Sequence, residues 1–357
     1  VRPRGTGVDV PPEPGDAIVV LGGAVGRDGV GGATFSSRSM GADTVETAGS
    51  SVQIGAPIVE KGVIDVIVAA RDAGWYRSIT DCGAGGLSSS VGELAEGVGA
   101  EVDLDLVPRK YAGLAPWEVW LSEAQERVVC AVPDEHLDAL AALAADHGVG
   151  CDVIGRFGGD GRLLVRSGST VVIDLDLGFL HDGRPRAEVE ARHPATARPT
   201  RRALPDLDPE RALLDLLAHP SLRSVEDVVR TYDHEVLGGT VVRPTTGVHL
   251  DAPSDGTVVV PLGSTSGRAV AVGIGVNAVW GRHDARAMAE AVVDEAIRNV
   301  VAVGADPSRI ALLDNFSWGN PRDETELGRL VAAVEGCVSA SLAHEAPFIC
   351  GKDSLNN

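Results

Sequence analysis

Residues 79–97 read ITDCGAGGLSSSVGELAEG, and the order of chemistry in that stretch decides the fold. Ile79 closes a short apolar approach and Asp81 follows. Gly83, Gly85 and Gly86 then open the backbone before Ser88, Ser89 and Ser90 lead into residues 91–95. The coarse reading is strand, glycine turn, helix. Glycine permits a ligand to approach the backbone closely, and the N–H groups of a helix start favour an anion such as phosphate. Asp81, at the strand end, can then hold the metal that accompanies the phosphate. Plain strand-to-helix punctuation has the same look, so the neighbouring stretches must decide between the two.

Upstream, DAIVVLGG (residues 16–23) is a buried strand entering a glycine turn, and GRDGVGGATFSSRS (26–39) is too rich in Gly and Ser for regular structure. Residues 62–74 have the apolar spacing of a helix packed on a sheet. Gln53 lies just before it, with an amide that both donates and accepts. Downstream, EVDLDLV (101–107) alternates like a strand with one wet face. A helix over 117–121, a turn at 122–126 and a buried strand at 127–132 come next. The turn is dense in polar groups: Ser122, Glu123, Gln125 and Glu126. A helix over 134–147 and strands within 153–165 complete an alternation of strands and helices, so residues 16–185 form an α/β or α+β domain.

The 357 residues suggest two domains, and a net charge of −20 argues against a nucleic-acid partner, which needs a basic face. Five scattered cysteines without a CxxC pair indicate neither a disulfide framework nor a zinc site, and fit a reducing cytoplasm. No apolar run has membrane-spanning length, and the first sixteen residues lack the apolar core of a signal peptide. From 184 to 223 the composition shifts to Pro, Arg, Ala and His, with a short helix over 209–217 capped by Asp208 and a second after Ser224.

A new domain begins near Tyr232, with strands at 239–242, 256–262 and 269–276. The clearest periodic element is the helix over 284–303, with Ala291, Val292, Ala296, Val300 and Val303 near one stripe. Glu295 and Asn299 stand one turn apart on another face, where two oxygen ligands can hold a hard cation such as Mg²⁺. A strand at 310–313 leads to Asp314 and a loop. A helix over 324–345 and a strand at 347–350 lead to GKDSLNN, where Gly351, Asp353 and Ser354 repeat the logic of the central stretch.

In this order, GRDGVGGATFSS, VQIGAPIVEK, ITDCGAGGLSSSVGELAEG, LSEAQER, YDHEV, DEAIRNVVAVGADP, DNFSWGNP and GKDSL resemble phosphoribosylformylglycinamidine synthase, an ATP-dependent amidine synthase of purine biosynthesis. The resemblance covers residues 16–357 and implies an α+β (α/β) fold of two aminoimidazole ribonucleotide synthetase-like subdomains. Residues 1–185 would be a C-terminal-type subdomain of a first unit and 186–223 a connecting segment. Residues 224–357 would be a truncated N-terminal-type nucleotide-binding subdomain of a second unit. The chain would then be a central fragment, inactive alone, because the family's first nucleotide-binding subdomain, with its catalytic histidine, has no counterpart in it.

The same resemblance implies that Gln53, Glu123, Ala124, Gln125 and Ser354 contact the substrate, formylglycinamide ribonucleotide (FGAR), and that Asp314 and Gly351 contact ATP. Asp81 would bind magnesium, and Asp255, Glu295, Asn299 and Asp353 would bind metal at a nucleotide site of the second unit. Ala56 stands where an aspartate is common, and Lys352 and Asp353 stand where short-chain members have Asn and Val. The implied partners are the remaining synthetase domains and a glutaminase domain or subunit that supplies ammonia. Alternatives are a non-catalytic nucleotide-binding fragment and a related synthetase or kinase of the same superfamily; LSEAQER and VQIG argue against the second of these.

Overall fold

The computed structural model describes residues 10–38, 49–51, 54–186, 188–193, 207–220, 222, 224–231, 235 and 238–356. The chain divides into two compact units, Val1–Ala187 and Glu188–Asn357.

The first unit is built on β1 (Ala17–Gly22), whose five residues 17–21 are at most 1% exposed. A strand buried on both faces must be covered twice, and its alternation shows how. Ile18 and Val20 enter one core while Ala17, Val19 and Leu21 enter another. Around it run β2 (Ser78–Asp81), β3 (Ala100–Asp103), β4 (Arg127–Val132), β5 (Gly150–Phe157), β6 (Arg162–Ser167) and β7 (Thr170–Asp176). The sheet order is β2-β4-β1-β5-β3-β6-β7, antiparallel except for β3 with β6.

The helices of this unit are α1 (Gly32–Phe35), α2 (Pro57–Ala73), α3 (Leu87–Leu94), α4 (Pro116–Leu121), α5 (Leu137–Asp146) and α6 (Leu177–Asp182). Val63, Val66 and Ala70 of α2 join Leu140 and Ala144 of α5 over one face of the sheet. Leu87 and Val91 of α3 join Val119 and Trp120 of α4 over the other. Proline at the first position of α2 suits a residue with no N–H to leave unpaired. Two local expectations change. The strand expected over 101–107 stops at Asp103, because its carboxylate accepts from Asp105 N at 2.9 Å and turns the chain into a 3₁₀ turn. The Gly/Ser stretch 26–39 contains the single-turn helix α1.

The second unit contains α7 (Pro209–Leu217), capped by Asp208 as its Asp-Pro start predicts, and α8 (Glu226–Val229). Then come β8 (Thr240–Val242), β9 (Thr245–Thr246), β10 (Ala252–Pro253), β11 (Gly256–Val259) and β12 (Val270–Gly273). A short α9 (Ala278–Gly281) precedes α10 (Ala285–Ala302), and β13 (Leu312–Trp318), α11 (Glu324–His344) and β14 (Phe348–Leu355) follow. Strands β12, β11 and β8 form one antiparallel sheet, while β13 and β14 pair in parallel.

Helix α10 buries Ala285, Ala289, Val293, Ile297 and Val300 rather than the stripe read from the sequence, which shares only Val300 with it. The helix has two packed sides. One enters the cores formed with residues of α11, and the other, with Val292 and Ala296, lies against the β11–β12 hairpin. Strand β14 runs on through residues 351–355, and β13 through 315–318, where loops were expected. Hydrogen bonding between two parallel strands outweighs the low strand preference of Gly, Asp and Asn. No helix among the described residues is long and apolar enough to cross a membrane.

Candidate functional site

In the first unit, one end of the sheet gathers the sequence motifs. Gly22 of β1 pairs with Arg127 of β4, and Asp81 of β2 pairs with Val128. The antiparallel pairing thus places the ends of β1 and β2 beside the turn 122–126 that opens β4. Asp81 is exposed at that edge, with a carboxylate oxygen 2.6 Å from where a side chain on Gly83 would begin. Among the described residues no hydrogen bond to this carboxylate is found, so both of its oxygens are available to a ligand.

Gly86 has φ 57°, and a Cβ there would stand 2.1 Å from the carbonyl oxygen of Ser122. Its glycine is therefore required by the approach of the 122–126 turn, whatever else binds nearby. Three amides of the glycine turn are spent within the protein. Gly85 N donates to Glu123 Oε1 at 3.2 Å, Gly86 N to Gly83 O at 2.9 Å and Ser88 N to Gly85 O at 3.1 Å. The expectation that these amides face a phosphate is corrected for those three.

The turn itself is tightly held. Ser122 is fully buried, and its hydroxyl donates to Gly26 O at 2.8 Å, tying the turn to the Gly/Ser stretch. Glu123 is 4% exposed, and its oxygens accept from Ala33 N at 3.1 and 3.0 Å as well as from Gly85 N. Ala124 is buried. Its N–H donates to Ser122 Oγ at 3.2 Å and its carbonyl accepts from Arg127 Nε at 2.9 Å. Gln125 is half-buried and has no hydrogen bond from its side chain among the described residues, which leaves its amide for a ligand. Glu126 Oε1 accepts from Ala56 N at 2.7 Å, at the start of α2. Gln53 lies outside the described residues.

Arg127, 4% exposed, braces the turn from inside by donating to the carbonyls of Ala124 and Ser122. Burial lowers the pKa of its guanidinium from the ordinary value, because the charged form loses its hydration. Burial pushes the neighbouring Cys82 thiol up, so it is no ready nucleophile. The outer rim is held by ion pairs: Arg27 Nε to Glu118 at 2.8 Å and Lys110 Nζ to Asp28 at 2.7 Å. Hydrogen bonds from Arg27 and from Ala115 N lower the Glu118 carboxyl below the usual carboxylate range.

In the second unit, Asp314 lies opposite Gly351 across the β13–β14 pair, and a Cβ on Gly351 would stand 2.0 Å from Asp314 Oδ1. Asp314 and Asp353 line a groove of 410 Å³ together with Phe316, Cys337, Val338 and Phe348. Burial raises the Cys337 thiol, and the Asp314 charge raises it further. By strand alternation Lys352 and Ser354 take the opposite face from Asp353, and Lys352 Nζ donates to Ser354 Oγ at 2.7 Å.

Asp255, Glu295 and Asn299 meet around residues 274–276. Ile274 N donates to Asp255 O at 3.0 Å, Asn299 Nδ2 to Ile274 O at 2.8 Å, and Val276 N to Glu295 Oε2 at 3.0 Å. Asp353 is on the other sheet. Among the described residues no three His, Cys, Asp or Glu side chains are gathered to hold a metal, so Asp255, Glu295 and Asp353 make no preformed acidic cage. All five cysteines are free thiols.

Sequence reasoning assigned no role to Glu126 and Arg127; the crowding of polar residues at 122–127 was the signal that could have found them.

Residues 13–168 match the model of the AIR synthase related protein C-terminal domain, and residues 253–356 that of the N-terminal domain. The phosphoribosylformylglycinamidine synthase subunit PurL of Methanopyrus kandleri is 34% identical over 351 residues, 96% of this chain and 46% of that protein. That of Thermomicrobium roseum is 35% identical over 366 residues, 100% of this chain and 47% of that protein. The chain spans about half the length of these relatives. Among solved structures, Thermotoga maritima PurL complexed with FGAR superposes with a TM-score of 0.76 at 24% identity, covering 98% of this chain and 53% of that one. The same protein complexed with ATP superposes with a TM-score of 0.69 at 22% identity, covering 98% and 51%.

Proposed function

The chain belongs to the AIR synthase related protein family, and from that membership we propose that it carries substrate- and metal-binding groups of an ATP-dependent phosphoribosylformylglycinamidine synthase. In this reaction ATP phosphorylates the amide oxygen of FGAR, giving ADP and a good leaving group. Ammonia from a glutaminase partner then adds to the amide carbon, and inorganic phosphate departs to leave the amidine. The protein's contribution is positioning and charge stabilisation.

The observation that carries this reading is the meeting of Asp81 with the 122–127 turn at one end of the sheet, in a chain 34% identical to a PurL over nearly its whole length. Gln125 offers the substrate an amide that can both donate and accept. Glu123 and Ala124 shape the same wall, and Gln53 and Ser354 are assigned to substrate by resemblance alone. Asp314 and Gly351 are assigned to ATP.

Magnesium fits Asp81 by its donor chemistry: one exposed carboxylate with neither oxygen hydrogen-bonded among the described residues suits an ion that keeps several waters and binds phosphate oxygens. When bound there, it would neutralise phosphate charge. In the second unit Glu295 and Asn299 are the proposed metal ligands, with Asp255 and Asp353 added by resemblance alone. Asn299 and Glu295 each keep one oxygen beyond the hydrogen bonds above, which leaves two hard donors one turn apart. We place the protein in the cytoplasm, where free thiols persist.

Calorimetric titration of the chain with FGAR in magnesium buffer tests the proposal. Saturable binding that weakens in Gln125→Ala is the expected result, and no heat of binding to the wild-type chain overturns it.

A further inference from the structure

We infer that Glu123 and Glu126 are positioning residues, two carboxylate clamps three residues apart that fasten three separate segments of the candidate site to the turn opening β4. The inference deepens the reading of that site as an FGAR site and rests on it for its functional consequence.

Each clamp is a carboxylate accepting from backbone amides distant in sequence. Glu123 holds Ala33 N, at the start of α1, and Gly85 N, in the glycine turn after Asp81. Its near-complete burial makes these bonds necessary, since a buried carboxylate without donors is costly. Glu126 reaches the third segment through Ala56 N, where α2 begins without any side-chain cap of its own. Ala56 cannot supply that cap, and a carboxylate near a helix N-terminus also meets the favourable end of the helix dipole.

Residue 126 accepts an unfavourable backbone to do this. Its φ is 55°, a region that side chains other than Asn, Asp and Gly rarely adopt. In that conformation its carbonyl accepts from Gly23 N at 3.0 Å, while its side chain reaches Ala56. Glycine would adopt this backbone more easily but would leave the Ala56 amide without its partner. Between the two clamps stands Gln125, whose side-chain amide makes no hydrogen bond among the described residues. The clamps set where that amide faces relative to Asp81 and α2.

Amide hydrogen exchange on the ligand-free, isotopically labelled 357-residue chain, read by NMR, tests the clamps directly. Glu123→Ala should speed exchange at Ala33 and Gly85 by about ten- to a hundredfold, the loss of charge-assisted hydrogen bonds, with Ala56 unchanged. Glu126→Gly, which relieves the backbone at 126, should speed Ala56 alone by a similar factor. Glu126→Gln, which keeps an acceptor oxygen, should restore Ala56 protection.

Unchanged exchange at Ala33 and Gly85 in Glu123→Ala, or at Ala56 in Glu126→Gly, overturns the inference. Should Glu123→Ala not fold, the Glu126 pair decides. In calorimetry, Glu126→Gly should weaken FGAR binding about tenfold and Glu126→Gln should recover it. A wild-type chain that does not bind FGAR, with the exchange results as expected, upholds the clamps and overturns the functional reading alone.

Discussion

At Gly86 a single missing side chain decides how two motifs meet. Its φ of 57° and the 2.1 Å approach of the Ser122 carbonyl leave no room for a Cβ. Gly86→Ala should therefore lose about 2–4 kcal/mol of stability, combining left-handed strain with overpacking, as measured by denaturant unfolding. Asp81 behaves oppositely. Its carboxylate has no hydrogen-bond partner among the described residues, so it adds little to folding, and its proposed work is to hold magnesium. In the assembled synthetase Asp81→Asn should lower kcat by about a hundredfold or more, with an unchanged melting temperature. Near-wild-type turnover at saturating magnesium would show that Asp81 only ends a strand. Both residues were visible in the sequence as chemistry. That Gly86 faces a carbonyl rather than a phosphate was not, because the turn it touches lies 36 residues further along.

Elements were legible where local signals are strong. Asp284 caps α10 by accepting from Ala287 N at 3.0 Å, and Asp284→Ala should cost about 1 kcal/mol in denaturant unfolding. Asp323 caps α11, and the amides of Glu326 and Thr325 lower its carboxyl below the usual carboxylate range. A lowered folded-state pKa means the unfolded state binds the proton more tightly. The cap's contribution is thus complete above the unfolded carboxylate range and lost as pH falls through the folded value. Between pH 6 and strongly acidic conditions, on the order of pH 2–3, Asp323→Asn should show a shallower fall in melting temperature than the wild type. The buried stripe of α10 was misread, since its alanines and valines surround the helix and only its two packing partners select which are covered. Strands β13 and β14 ran past their expected ends for a similar reason: polar and glycine residues join a strand when a neighbour supplies the hydrogen bonds.

As a whole molecule, the chain is two units with separate cores. The seven-stranded sheet and both of its hydrophobic layers lie within residues 17–177. Residues 10–186 expressed alone should therefore fold and melt in one cooperative transition by circular dichroism and calorimetry; a molten, non-cooperative product would mean that the core needs the second unit.

The sequence by itself determined the α+β class, the run of motifs from 26 to 355, the cap at Asp208, and the acids at Asp81, Glu123, Asp314 and Asp353, because each is written in local composition and spacing. Only the tertiary structure decided that Glu123 and Glu126 spend their carboxylates on Ala33, Gly85 and Ala56, and that Asp314 rests on Gly351 across two strands. It also decided that Glu295 and Asn299 face backbone groups of residues 274–276. A side chain's type fixes which bonds it can make. Which partner it meets depends on segments tens of residues away that the sheet, and not the local sequence, brings within hydrogen-bonding distance.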